Sequence, residues 1–450
     1  MTSIVTHIQT IIAWILDSIS DWIPRIPPKS VSDSRKELRK RLTLEYGYYT
    51  FIITIVFILL IPYWNRAPNY FVKLYSRLVS NIDYSRARNN WFTLNLQVIK
   101  IIVFWSVALS LLSLLQLNSD VQFLAARLGR VATYCLPTIL FLTLRPSPLP
   151  HTLYLSLLPI HKWLSRLVIL QSSGHTFLYI IFFIERGTIQ KIWRIDNLNG
   201  VVAMVSFSLI MITSLPPFRR SVYNFFFIIH YLSSWIIIIT LYFHVRPSIP
   251  YITALNASIS IYQIYYRFKI TTISWIETTE ISNNLLLVSI PNESIKLKSN
   301  IPGCHIRMIN YNNSIIQRLK TLFVPIQHPY TLTTLPIDNS QKSVVRKGTF
   351  ELTENKKYLI TGVYKPHLQF LKPSPYQSNQ LIFQTAVKKC LIVVGGSAIS
   401  FAIPILRTLN YNGSMVKIVW VIRNHQDLKI LDYFKNVFVN DDCIDVYMTG

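Results

Sequence analysis

Charge is what this sequence has least of, and acid is scarcer than base. Its 450 residues hold 20 Asp and Glu against 45 Lys and Arg, and only 14% of them are charged. Soluble domains carry about 25% charged residues, so much of the chain faces something other than water. The net charge of +25 is not gathered on one arm or patch, as a nucleic-acid-binding surface requires. The basic residues flank apolar runs instead, the habit of a multi-span membrane protein, and no nucleic-acid partner is expected. Cysteine is sparse too. Cys135, Cys304, Cys390 and Cys443 stand far apart with no C-x-x-C pair, which speaks against a disulfide framework and a cysteine zinc site. A secretory signal is missing: "IVTHIQTIIAWILDSISDWIP" has no basic n-region and no small-residue cleavage site. Its Ile4, Ile8, Ile11, Ile12, Ile15, Ile19 and Trp22 recur at helical period, which predicts an amphipathic helix lying at a membrane interface. No internal repeat or low-complexity stretch stands out.

What is present is a series of long apolar runs. A spanning helix needs about 17–25 apolar residues. Seven candidates answer: 48–64, 94–117, 128–144, 160–184, 198–218, 222–244 and 247–266. From Ile270 onward short β-rich segments such as "NLLLVSI" alternate with Pro, Asn and Ser turns. The expected organisation is an amphipathic, basic N-terminal segment (1–45), a multi-pass α-helical membrane domain (46–268) and a soluble region to the end. Basic residues in the 65–92 loop, the 145–159 loop, "PPFRRSVY" and Arg267–Lys269 fall on one side of seven spans, which predicts that side, with the soluble region, to be cytosolic. One basic segment, "KSVSDSRKELRKR", falls on the opposite face and dissents.

Four histidines stand out within the runs. "HKWLSRLVILQSSGH" carries His161 and His175, and "HYLSSWIIIITLYFH" carries His230 and His244, both pairs 14 residues apart. Fourteen residues are nearly four helical turns, so each pair shares a helix face about 21 Å apart. The two runs lie two spans apart and must run parallel, so His161 faces His230 at one depth and His175 faces His244 at another. A lone histidine in a span lines a cavity or meets a polar neighbour; two equally spaced pairs instead offer both axial ligands to each of two haem irons. His7, His151, His305, His367 and His425 fit no such geometry.

The sequence around these histidines resembles the ferric reductase and NADPH oxidase transmembrane family. Its pattern R-R-x-x-Y-x-x-F-x-x-x-H is met by Arg219, Arg220, Tyr223, Phe226 and His230. "EYGYY", "LFLTLRP" and "IHKWLSR" are similar to stretches of the fungal metalloreductase branch of that family, and the resemblance covers roughly residues 46–450. It implies two b-type haems on the four histidines and an electron path from cytosolic NADPH through FAD to an acceptor across the membrane. Arg166, Arg219 and Arg220 serve either as partners of haem propionates or as anchors on the positive side of the bilayer.

The soluble half carries weaker echoes. In "VPIQHPYTLTTLP", His328, Pro329, Tyr330 and Thr331 resemble the family's His-Pro-Phe-Thr flavin motif, on a β-barrel strand expected to present ring and hydroxyl to the flavin. "KKCLIVVGGSAISFAIPILRTL" reads as strand, glycine turn and helix, the arrangement that receives a phosphate at a helix N-terminus. The family's G-G-x-G-I becomes Gly395, Gly396, Ser397, Ala398 and Ile399, so a methyl at Ala398 replaces hydrogen and is expected to weaken NADPH binding. The resemblance thus implies a ferredoxin reductase-like half: a shortened flavin-binding β-barrel at 269–388 and a partial α/β NADPH-binding domain at 389–450. Further barrel strands are not legible before "KKC", and the sequence ends at "IDVYMTG", ahead of the family's Cys-Gly-Pro segment. The expectation is either a shortened product or a reductase half of reduced turnover.

The expected function is an NADPH-dependent metalloreductase of the plasma membrane or endoplasmic reticulum, passing electrons to a metal ion such as Fe(III) or Cu(II). The rivals are an oxidase that hands the electron to dioxygen and a haem-holding membrane scaffold without flavin turnover.

Overall fold

The computed structural model describes residues 26–64, 96–438 and 443–449, apart from 118–119, 151, 153, 246, 248, 300, 325, 349, 355, 367, 369, 374–381 and 386. The amphipathic segment at 4–22 and the basic 65–92 loop lie outside the described residues. The chain divides into two units, Met1–Gln263 and Ile264–Gly450.

The first unit is helical. After a short α1 (Lys29–Ser34) come α2 (Lys36–Trp64), α3 (Leu96–Leu114), α4 (Val121–Phe141), α5 (Tyr154–Glu185), α6 (Ile195–Thr213), the short α7 (Pro216–Ser221), α8 (Tyr223–His244) and α9 (Pro250–Ile270). Helices thus stand at all seven positions expected for spans. Four of them are long and apolar enough to cross a membrane: Lys36–Tyr63, Tyr154–Glu185, Ile195–Thr213 and Tyr223–His244. Their outward faces are apolar, with Leu59, Leu170, Phe177 and Ile239 exposed. That distribution suits a solvent of lipid tails. The interior cluster contains Trp105, Leu109, Val131, Cys135, Leu164, Val168 and Ile237.

Helix α4 is less apolar than those four because it carries Arg127 and Arg130, yet both are buried. The Arg127 guanidinium lies 3.7 Å over the Tyr46 ring. Its Nη1 donates to the carbonyls of Leu112 and Leu115 at 3.2 and 3.3 Å, closing the open C-terminal end of α3. Arg130 donates to the Pro247 carbonyl at 3.2 Å. Both charges meet backbone carbonyl dipoles, and Arg127 also an aromatic face, terms on which arginine enters such a bundle.

The second unit is built from strands. β1 (Thr271–Trp275), β7 (Lys357–Tyr364), β4 (His305–Asn310) and β5 (His328–Thr331) form one antiparallel sheet in that order, and β2 (Glu277–Glu280), β3 (Leu285–Pro291) and β6 (Ser340–Arg346) form a second. Ile276, Val288, Ile290, Ile306, Met308 and Ile360 fill the space between them. β6 and β7 lie in the region where the sequence showed no legible strand. The short pair β8 (Lys372–Pro373) and β9 (Phe383–Gln384) leads to a parallel sheet of β10 (Lys389–Gly395), β11 (Met415–Ile422) and β12 (Ile444–Met448), with α11 (Ile399–Tyr411) on one face. The remaining helix, α10, is Ile315–Phe323. The other face of the parallel sheet leaves Leu391, Val393 and Met415 exposed.

β3 explains its own sequence. Leu286, Val288 and Ile290 face the sandwich core, whereas Leu285 and Leu287 face the core beneath α11 and the parallel sheet, with Val344 of β6. A strand buried on both faces needs a continuous apolar run, and "LLLVSI" supplies it. Ser400 of α11 completes the join: its hydroxyl accepts from the Val344 N–H at 2.9 Å and donates to the Val344 carbonyl at 3.0 Å. Ser400→Ala strips both partners from a buried edge of β6. It should cost about 1–3 kcal/mol, read as a lower midpoint for unfolding of the second unit within the intact protein.

Candidate functional site

The four histidines meet as two pairs. The His161 and His230 rings have centroids 6.4 Å apart, and those of His175 and His244 are 5.9 Å apart. Residues 161 and 175 of α5 thus pair in the same order with 230 and 244 of α8, so the two helices run parallel. Two imidazole nitrogens each about 2 Å from one metal, with about 1.2 Å more to each ring centre, put the centroids about 6 Å apart. Both pairs have that spacing.

Backbone carbonyls from neighbouring helices orient three of the rings. His175 Nδ1 lies 2.7 Å from the Ala125 carbonyl and His161 Nδ1 3.1 Å from that of Ile139. Both acceptors belong to α4, 14 residues apart like the histidines they serve, so α4 runs antiparallel to α5 in matching register. His244 Nδ1 lies 2.8 Å from the Asp196 carbonyl at the start of α6. A carbonyl accepts only from Nδ1–H, which leaves Nε2 with its lone pair facing the partner ring. His230 Nδ1 is buried with no hydrogen-bond partner among the described residues.

Such close approach needs glycine behind the ring. A Cβ built on Gly129 would sit 2.5 Å from His175 Nδ1, and one on Gly200 would sit 2.4 Å from His244 Cε1. No side chain other than hydrogen fits there. Neither glycine was visible as a functional residue in the sequence, because each meets its histidine across some 45 residues of chain. Tyr223, Phe226 and His230 form a run of ring contacts on α8, with centroids 5.9 and 5.5 Å apart, which gives the aromatic members of the family pattern a packing role. Arg166 lies 4.6 Å over the Trp163 ring, and Arg219 and Arg220 are exposed on α7.

In the second unit His328–Thr331 form β5, the edge strand of its sheet. Consecutive strand residues point to opposite faces, so Tyr330 and Thr331 do not share one. Tyr330 packs partly against the sandwich core, and His328 stacks on Phe350 with centroids 4.4 Å apart. Burial lowers the His328 imidazole below its ordinary value, so at neutral pH it offers hydrogen bonds rather than charge. Burial also raises the Tyr330 phenol and pushes the Cys304 thiol up to about 11. Pro329 is exposed.

The glycine turn closes β10 as expected, with one revaluation. Gly396 has φ +50 with nothing within 4 Å of a would-be Cβ, and its carbonyl accepts from Trp420 Nε1 at 3.0 Å. Ala398 has φ −66 and ψ −10, an ordinary right-handed conformation, and it is exposed. The backbone penalty expected for Ala398 is therefore not met; the residue whose conformation demands glycine is Gly396. Gly395 is extended and Ser397 half-buried. Ile399 is wholly buried in the core under α11, a packing residue rather than a ligand contact. Arg423, which the sequence reading passed over, is exposed directly after β11. It lies at the carboxyl end of the parallel strands, where such sheets bind ligands.

These features define a class: an integral membrane protein whose helical bundle stacks two histidine pairs. Residues 128–241 match the family model for the ferric reductase like transmembrane component, a range that holds His161, His175 and His230, with His244 just beyond it. Over those residues the chain is similar to the transmembrane component of that family, and the resemblance drawn from the sequence is borne out. It is 38% identical over 354 residues to a "Probable ferric reductase transmembrane component" of Eremothecium gossypii, covering 74% of this chain and 51% of that protein. It is 35% identical to a "Probable metalloreductase AIM14" of Yarrowia lipolytica (72% of this chain, 59% of that one) and 29% identical to its namesake in Candida dubliniensis (87% and 71%). The chain thus spans between half and three-fifths of the length of the first two relatives. A ferredoxin-NADP+ reductase from Plasmodium falciparum aligns with 40% of this chain and 69% of its own at 15% identity, but its TM-score of 0.28 is too low to define a shared fold.

The glycine contacts generate a sharp expectation. Alanine is the better helix former by about 1 kcal/mol, so Gly129→Ala and Gly200→Ala should leave the helices intact while displacing His175 or His244. The amount of any iron or haem held between the histidine rings, measured chemically against protein, should fall in each purified variant to about half that of the unmodified protein.

Proposed function

We propose that this protein carries electrons from cytosolic NADPH, through FAD and two b-type haems, across a membrane to a metal ion such as Fe(III) or Cu(II). The observation that carries the reading is the pair of facing imidazoles at 6.4 and 5.9 Å, repeated at two depths by one 14-residue spacing. A metal ion is preferred to dioxygen as acceptor because the relatives are named for metal reduction.

A bound haem supplies reversible one-electron chemistry, and a bound flavin converts the two electrons of a hydride into single ones. The residues do the rest. His161 with His230, and His175 with His244, would hold the irons through Nε2. The carbonyls of Ile139, Ala125 and Asp196 fix three of those rings, so little reorganisation attends a change of charge. The apolar interior around Leu164, Val168 and Ile237 keeps water from the path. Two levels about 21 Å apart suit a hydrocarbon layer of about 30 Å. Arg166, Arg219 and Arg220 are candidates for the haem carboxylates. On the reductase side, the open edge of β5 with His328, Pro329, Tyr330 and Thr331 would hold the flavin. The turn at Gly395, Gly396, Ser397 and Ala398 with the N–H groups at the start of α11 would receive the pyrophosphate, and Arg423 would meet a further phosphate.

NADPH added to purified protein supplemented with FAD should reduce both haems, seen as sharpened b-type absorption bands, and Fe(III) reduction should exceed superoxide formation. Superoxide as the main product would favour the oxidase. Reduction by dithionite but never by NADPH would favour the haem-holding scaffold. Gly396→Ala imposes about 1–2 kcal/mol of left-handed strain and, if the turn shifts to relieve it, should weaken NADPH binding, whereas Ala398→Gly should change binding little.

The orientation has its own check. A glycosylation acceptor engineered near Lys347, in the exposed stretch after β6, should stay unmodified if the reductase unit is cytosolic; modification there would reverse the assigned direction of electron flow.

A further inference from the structure

The two histidine pairs are not built alike. His175 and His244 are each held twice: by a carbonyl on Nδ1, at 2.7 and 2.8 Å, and by a glycine pressed against the ring, Gly129 or Gly200. His161 keeps only the carbonyl of Ile139. His230 has neither. Its Nδ1 is buried without a partner among the described residues, and no described glycine backs its ring. The fold supplies the reason. Asp196 serves His244, and the residue 14 positions further along α6 is Ile210, whose carbonyl accepts from the Ser214 N–H at 3.0 Å to close the helix. Ile210 stands in the last turn of α6, and its carbonyl makes no bond to His230 Nδ1. The neighbouring Ser234 hydroxyl is no substitute, since it donates to the His230 carbonyl at 2.7 Å; what the His230 ring meets is Phe226, 5.5 Å away between centroids.

A ring without a partner on Nδ1 has no fixed tautomer, turns without breaking a bond and is the weaker donor. Building on the haem reading above, we propose that His230 is an exchangeable axial ligand. The haem of the His161–His230 pair then has a site for a neutral diatomic π-acceptor, carbon monoxide or nitric oxide, on the His230 side. The His175–His244 haem stays closed. On binding, the Fe(II)–Nε2 bond of His230 breaks and a bond from iron to the diatomic forms. No electron changes owner, and the freed Nε2 keeps its lone pair. With the reductase unit cytosolic, this is the first haem on the electron path, so occupancy interrupts transfer at its input.

The test uses the intact, dithionite-reduced holoprotein titrated with nitric oxide without oxygen. Electron paramagnetic resonance should integrate to one nitrosyl haem per chain, half the total. His175→Ala, which removes the other haem, should retain the adduct on all remaining haem. His230→Ala should bind carbon monoxide at least tenfold faster after flash photolysis, on the same half. No adduct in the unmodified protein, adducts on both haems, or an adduct lost in His175→Ala overturns the proposal. A preparation lacking two low-spin haems before any gas is added fails the parent reading instead.

Discussion

The hydrogen bond from an imidazole nitrogen to a helix carbonyl is the interaction on which the membrane unit depends. A helix carbonyl is already engaged within its own helix, so a second donor must approach from the side and come close. At the two shortest contacts, those of His175 and His244, the neighbouring helix carries almost no side chain, which Gly129 and Gly200 provide. The requirement propagates. It fixes α4 against α5 and α6 against α8, and it fixes their registers, because Ala125 and Ile139 must both fall opposite histidines. The spacing of the rings across the bundle follows from those registers rather than from contact between the rings themselves.

The histidine pairs were legible because a spacing of 14 nearly closes on a whole number of helical turns and leaves a periodic trace in the side-chain text. Their acceptors were not, since a backbone carbonyl is the same at every residue. Gly129 and Gly200 were hidden for a related reason: a glycine in a helix looks like weak propensity until its distant neighbour is known. Arg127 and Arg130 misled in the other direction. Hydropathy counts them as polar, whereas inside the bundle Arg127 meets the Tyr46 ring and the carbonyls of Leu112 and Leu115, and Arg130 the carbonyl of Pro247.

In the second unit the sequence located the glycine turn but misjudged its members. Backbone dihedrals are not written in residue identity, so Ala398, at φ −66, drew suspicion that belongs to Gly396. The turn is also tied from the far side by the Trp420 indole, a contact that the apolar run of β11 concealed. β6 and β7 carried no motif at all. They are strands because they complete sheets begun by β3 and β4, a cause that lies outside their own residues.

β3 is a wall shared by two rooms. Its even residues Leu286, Val288 and Ile290 furnish the sandwich, and Leu285 and Leu287 furnish the core beneath α11 and the parallel sheet. The two halves of the second unit are therefore not interchangeable modules. A chimera that exchanged one half with a relative would keep a strand tailored to the partner it had lost, and both interiors would have to be refitted together. For this unit, recombination is productive only when the crossover carries β3 with everything it touches.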